Sequence, residues 1–168
     1  MIESNDLVMS SGLVRIIVDH VRVYGRMGSL GVETGAFLLT SPGSDKIILV
    51  ALSGKEGITR QPNLFTVSGK AIDKIFTWAE CHDLAISAQL HSHAGLAFLS
   101  TTDVRHGFAV EGFTSVIVPR YASPSPNPTT WGWWRYTGKV WCPLAPAELT
   151  EGRVTSVTFD ERGVRESD

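Results

Sequence analysis

Two histidines separated by one residue, His91 and His93, are followed by Ser100 and Asp103, so two imidazoles, a hydroxyl and a carboxylate fall within thirteen consecutive residues. Residues two apart on an extended strand point to the same side, and imidazole nitrogen and carboxylate oxygen are both zinc ligands. A catalytic zinc site usually takes three protein ligands and keeps a fourth position open; His91, His93 and Asp103 would make such a set. The chemistry this allows is hydrolysis. Zinc lowers the pKa of water to about 7, and a nearby base must still take the proton and hand it to the leaving group. Glu33, which precedes the apolar run Ala36-Phe37-Leu38-Leu39, is a candidate for that base. A His-x-His pair by itself is common on protein surfaces, so its meaning depends on the elements that carry it.

Upstream, Leu13, Ile16, Ile17, His20, Val21 and Tyr24 recur at spacings of three and four, which predicts an amphipathic helix from Gly12 to about Met27. Glu33 to Leu39 reads as a strand, Ser41 to Asp45 as a turn and Lys46 to Leu52 as a second strand, together a hairpin with Glu33 at its head. Residues 53–63, rich in Gly, polar residues and Pro, read as a loop, with a possible short strand over Leu64 to Val67. Ser68 is placed to cap a helix from Lys70 to about Cys81 whose inner face is Ile72, Ile75, Phe76 and Ala79. Leu84 to His93 resumes strand character, and Ser100-Thr101-Thr102-Asp103 carries helix-start residues. Ser115 to Pro119 is a buried strand, residues 123–128 an irregular Pro-rich loop, Trp131 to Val140 a strand, and Arg153 to Phe159 the last strand. Residues 161–168 read as a loose tail. Helices and strands mix without regular alternation, so the predicted class is α+β: a central mixed sheet flanked by helices.

The chain of 168 residues fits one domain, 1–168. A hydrophobic fraction of 43% and a net charge of −2 argue against broad attraction to nucleic acid or to a membrane surface. No apolar run is long enough to span a bilayer, and the N-terminus lacks the pattern of a signal peptide, which predicts a cytoplasmic protein. The two cysteines, Cys81 and Cys142, sit in no CxxC pair and read as reduced, partly buried small hydrophobes.

Glu33-x-Gly35-x-x-Leu38-Leu39, a strand ending in His91-Ser92-His93, and Ser100-x-x-Asp103 together resemble the JAMM/MPN zinc metalloprotease family, in particular its prokaryotic JAB-domain members. The resemblance covers roughly residues 10–145 and includes the order of the elements. It implies the MPN/JAMM fold, which is cytidine-deaminase-like, with zinc held by His91, His93 and Asp103. Glu33 would be the general acid/base, and Ser100 the donor to the tetrahedral oxyanion, with Thr101 an alternative. Ser92, on the opposite strand face, would brace the site. Two departures from the family pattern are a six-residue spacing between His93 and Ser100, one fewer than common, and Ala94 where many members have Pro.

The same resemblance implies an isopeptidase or peptidase that cleaves after the C-terminal tail of a ubiquitin-like protein. The partners implied are that protein or its conjugates and the conjugation enzymes of the same bacterial system, including systems used in antiviral defence. Two other functions remain open: a zinc hydrolase of a small-molecule amide and an inactive MPN-type scaffold. His20, His82 and His106 read as helix-surface residues, His106 also as a possible support to the ligands from one turn after Asp103. Trp131, Trp133, Trp134 and Trp141 divide between core packing and gripping an extended peptide, and residues 54–63, with Lys55, Glu56 and Arg60, are a candidate substrate contact.

Overall fold

The computed structural model describes residues 2–167, apart from the side chain of His106. A short strand β1 (Val8–Ser10) leads directly into helix α1 (Ser11–Gly25), where the Ser10 hydroxyl accepts from Leu13 N–H at 3.1 Å and caps the first turn. Strands β2 (Gly35–Thr40) and β3 (Ile47–Ser53) form the expected antiparallel hairpin. A second hairpin follows, β4 (Ile58–Gln61) with β5 (Leu64–Val67), and then helix α2 (Gly69–Cys81), capped by Ser68 as its sequence suggests. Strand β6 (Ala85–Ser92) carries the first histidine at its end, and helix α3 (Thr101–His106) starts at Ser100. The chain continues through β7 (Thr114–Val118), a 3-10 turn (Pro128–Thr130), β8 (Gly132–Tyr136), β9 (Trp141–Pro143), β10 (Glu148–Thr150), β11 (Thr155–Asp160) and β12 (Gly163–Glu166).

Eight strands form one mixed sheet in the order β12-β11-β3-β2-β6-β7-β8-β9, while β1 pairs with β10 and β4 with β5. The predicted mixed α+β architecture is what the chain adopts. One face of the sheet packs under α1, joining Leu13, Val14, Ile17 and Val21 to Leu38, Val50, Ala88 and Val116. The other packs under α2, joining Ala71, Ile75 and Ala79 to Phe37, Leu39, Ala51 and Phe159. Because both faces are covered, all six residues of β2 are buried. Among the described residues no helix is long and apolar enough to cross a membrane.

Several expectations change. Residues 53–63 are not simply a loop: Ile58 and Thr59 are β-branched and pair with Val67 and Thr66 across a turn at Pro62-Asn63, a pair suited to turns. The tail is not loose over its whole length, since β12 pairs antiparallel with β11. Asp160, 1% exposed, makes that return possible by accepting from Arg162 N–H at 3.0 Å and from both Arg165 Nη atoms at 3.1 and 2.8 Å. Asp168 lies outside the described residues. His20 turns inward, with Nε2 at 2.9 Å from Thr34 Oγ1, because its position on α1 adjoins the buried stripe. Cys81 is exposed at the end of α2 rather than partly buried. Trp131 and Trp133 are core residues, 4% and 3% exposed, with their indole N–H groups donating to Ser125 O and Pro128 O at 3.1 and 3.0 Å.

Candidate metal centre

The site forms where the middle of the sheet meets α3. In β6, Gly35 of β2 lies opposite His91 on one side and Ile117 of β7 on the other. Strand alternation sends Gln89 and His91 to the α2 face and Leu90 and Ser92 to the α1 face. His93 lies one residue beyond β6 but continues its pairing: its N–H donates to Val118 O and its carbonyl accepts from Tyr121 N–H, both at 2.9 Å. The two imidazoles therefore converge, with Nε2 atoms 3.1 Å apart.

Asp103 reaches the same two nitrogens, Oδ1 at 2.9 Å from His91 Nε2 and Oδ2 at 3.2 Å from His93 Nε2. Its aim is set by a capping box. Ser100 Oγ accepts from Asp103 N–H at 3.1 Å, and Asp103 Oδ2 accepts from Ser100 N–H at 2.8 Å, so the helix start and the carboxylate are fixed together. Ser100 here is the helix cap, and its hydroxyl proton remains available to donate. Glu33 completes the cluster. It is 5% exposed, its N–H donates to Gln61 O at 2.9 Å, and its carboxylate and the two histidines have ligand atoms within 4.8 Å of one another.

These donors suit a metal ion. Around a tetrahedral zinc with ligand distances of about 2.0–2.1 Å, neighbouring donors stand about 3.3 Å apart, and the 3.1, 2.9 and 3.2 Å separations here lie close to that edge. The tautomer suits it too: His93 Nδ1 lies 3.2 Å from the Leu96 carbonyl, which can only accept, so Nδ1 carries the proton and Nε2 presents its lone pair when the ring is neutral. The electrostatics call for positive charge. Burial opposes the charged form of His93, but the hydrogen bond and charge of Asp103, with Glu33, outweigh it and raise the pKa above its ordinary value. Burial likewise opposes ionised Asp103, yet the bonds from His91 and His93 hold its carboxyl far below the usual range. A divalent cation would supply the positive charge that a proton supplies otherwise.

Glu33 differs from Asp103. Burial raises its pKa to about 7, with His93 lowering it and Asp103 raising it further. A carboxyl poised near neutrality is matched to taking and returning a proton.

The cluster opens into a cleft of about 140 Å³, and Glu33, His91 and Asp103 stand in its wall. Leu64 to Val67 of β5 line one flank, Thr102 and Asp103 of α3 contribute another, and Phe37, Phe108 and Phe159 line an apolar recess. Next to the site Phe98, 54% exposed, meets the His93 ring edge-on at 5.1 Å between centroids.

No family model matches the chain, and no curated protein matches it. Solved structures share its fold. A protein from Desulfitobacterium hafniense superposes with a TM-score of 0.63 at 14% identity, covering 88% of this chain and 94% of that one. A protein from Salinibacter ruber gives 0.56 at 20% identity over 84% and 91%. A JAB1/MPN domain protein from Archaeoglobus fulgidus gives 0.49 at 17% identity over 86% and 97%.

Of the residues singled out from sequence, His91, His93, Asp103 and Glu33 come together. Ser92 is fully buried and accepts from Thr34 N–H at 3.0 Å, as a bracing residue would. Arg60 does not face the cleft as a substrate contact; its guanidinium turns inward to Gly54 O, 2.6 Å, and Ser53 O, 2.8 Å. His82 stacks on Trp78 away from the site, and the side chain of His106 lies outside the described residues. Thr34 and the Leu96 carbonyl were not foreseen. Neither has a sequence signal, because a threonine before a strand and a carbonyl in a loop are ordinary until the fold sets them beside the ligands.

Proposed function

We propose that this chain is a zinc-dependent amide hydrolase of the JAMM/MPN type. The observation that carries the reading is the convergence of His91, His93 and Asp103 on one point, with the buried Glu33 beside them, in the wall of a cleft. In this reading the two histidines and Asp103 hold the metal, and zinc supplies Lewis acidity and a lowered water pKa. Glu33 takes the proton of the attacking water at a carboxylate oxygen and returns it to the leaving amine. Ser100 donates its hydroxyl proton towards the developing oxyanion, a kind of contact whose loss typically costs about two to three orders of magnitude in rate.

The substrate we propose is the C-terminal tail of a ubiquitin-like protein, released from a conjugate or a precursor, within a bacterial conjugation system. Supporting this, β5 pairs with β4 on one side and lines the cleft with Leu64 to Val67, so an extended tail could lie along it by strand addition. A second reading, hydrolysis of a small-molecule amide, is favoured by the apolar recess of Phe37, Phe108 and Phe159, which suits a compact hydrophobic group. The test is metal content together with cleavage of a ubiquitin-like fusion by wild type and Glu33→Ala. Zinc at one per chain, with cleavage lost in Glu33→Ala, is expected; a wild type without zinc, or a variant as fast as wild type, would refute the mechanism.

A further inference from the structure

Arg60 lies away from the cleft, and among the described residues every partner of its guanidinium is neutral. Nη1 donates to Gly54 O at 2.6 Å, Nη2 to Ser53 O and Ser53 Oγ at 2.8 Å each, and Nε to Thr34 Oγ1 at 3.1 Å, while the guanidinium stacks 3.8 Å over the Tyr24 ring. A partly buried cation answered only by dipoles and a ring is a costly device, and a planar fork is what lets one side chain span three backbone segments. Those segments are the end of β3, the head of β2 and, through Arg60 itself, β4.

The hydroxyls that Arg60 touches, Ser53 Oγ and Thr34 Oγ1, also bond to each other and to their surroundings. Ser53 Oγ donates to Gly35 O at 2.7 Å, so towards Arg60 it can only accept. Thr34 Oγ1 accepts from Arg60 and stands 2.9 Å from His20 Nε2 and 3.2 Å from Ser53 Oγ. Thr34 in turn is tied to the residue between the two histidines: its N–H donates to Ser92 Oγ at 3.0 Å, and its carbonyl accepts from Ser92 N–H at 2.9 Å. The neighbouring Glu33 N–H donates to Gln61 O, next to Arg60.

We infer that Arg60 is a positioning residue for the metal centre: through Thr34 it fixes Ser92, and with it the directions of His91 and His93, while its strand holds Glu33. This rests on the proposed metal-hydrolase reading. Residues that orient metal ligands from outside typically cost 10–100-fold in metal affinity when removed.

The test is cobalt(II) titration of the full chain, read by dissociation constant and visible absorption spectrum, for wild type, Arg60→Met, Arg60→Lys and Thr34→Val. Arg60→Met is expected to bind cobalt about 10–100-fold more weakly with an altered spectrum, and Arg60→Lys to recover only part of the loss because a point charge cannot span the same acceptors. Thr34→Val keeps the shape and removes the hydroxyl, so it reads the same link even where Arg60→Met fails to fold. Wild-type affinity and spectrum in a folded Arg60→Met or in Thr34→Val, whatever the change in melting temperature, would overturn the inference. A wild type that takes up no metal would instead take down the underlying hydrolase reading.

Discussion

Glu33 and Asp103 are both carboxylates beside the same histidines, and their surroundings push them in opposite directions. Asp103 is ionised because two imidazoles and the Ser100 N–H converge on it. Glu33, buried first of all by the strand head that carries it, is raised from 4.5 to about 7. A carboxyl raised on folding contributes stability that is fully present below its unfolded pKa and lost as pH rises through its folded one, here between 4.5 and about 7. In chelator, Glu33→Gln should therefore melt close to wild type near pH 4.5 and be more stable at pH 8, by on the order of 3 kcal/mol. Calorimetry at the two pH values checks this, and equal stability at pH 8 would mean that the carboxylate is not desolvated. His91→Ala should lose both metal and activity, measured by metal analysis and fusion cleavage. Ser100→Ala should still bind metal, because the Ser100 N–H keeps its bond to Asp103 Oδ2, though more weakly for want of the cap, and should lose more rate than affinity; a full rate would shift the donor role to Thr101.

At the scale of elements, the site depends on close approaches that its strands permit only with small residues. A Cβ on Gly35 would meet the Phe65 ring and the Leu90 carbonyl, so Gly35→Ala must push β5 or β6 away from β2. A loss of about 1–3 kcal/mol in urea unfolding is expected, together with weaker metal binding. Asp160 plays the corresponding role at the sheet edge, where Lys55, Arg162 and Arg165 all donate to its buried carboxylate. Arg165 foremost holds its pKa well below the usual range, so its contribution is present above the ordinary carboxyl pKa and lost only in strong acid. Asp160→Ala should cost about 2–4 kcal/mol at pH 7 and free β12 to exchange amide protons. The strands and helices around the site were legible because their cues were local: Ser10 and Ser68 as caps, apolar spacing in α1 and α2, alternation in β6. Strand β4 and strand β12 were not, because each is four residues long and mostly polar, so neither shows the clear apolar pattern that their partners β5 and β11 do.

For the molecule as a whole, a metal that binds only the folded state should stabilise it, by about 2.7 kcal/mol at a hundredfold excess over its dissociation constant. Zinc should therefore raise the melting temperature of wild type over the chelated protein by several degrees and leave His91→Ala unchanged, as differential scanning would show. The sequence by itself determined the mixed class and most element positions, since residue types and periodicity are properties of short stretches, and it singled out His91, His93, Asp103 and Glu33 as site candidates through the order of motifs that resembles the JAMM/MPN family. Only the tertiary structure decided that Asp103 meets both Nε2 atoms, that Glu33 is buried enough to hold its proton near neutrality, and that Arg60 turns inward to Thr34. Those facts arise from three strands and a helix start brought together across some seventy residues of chain, and desolvation and hydrogen-bond direction exist only once they are packed.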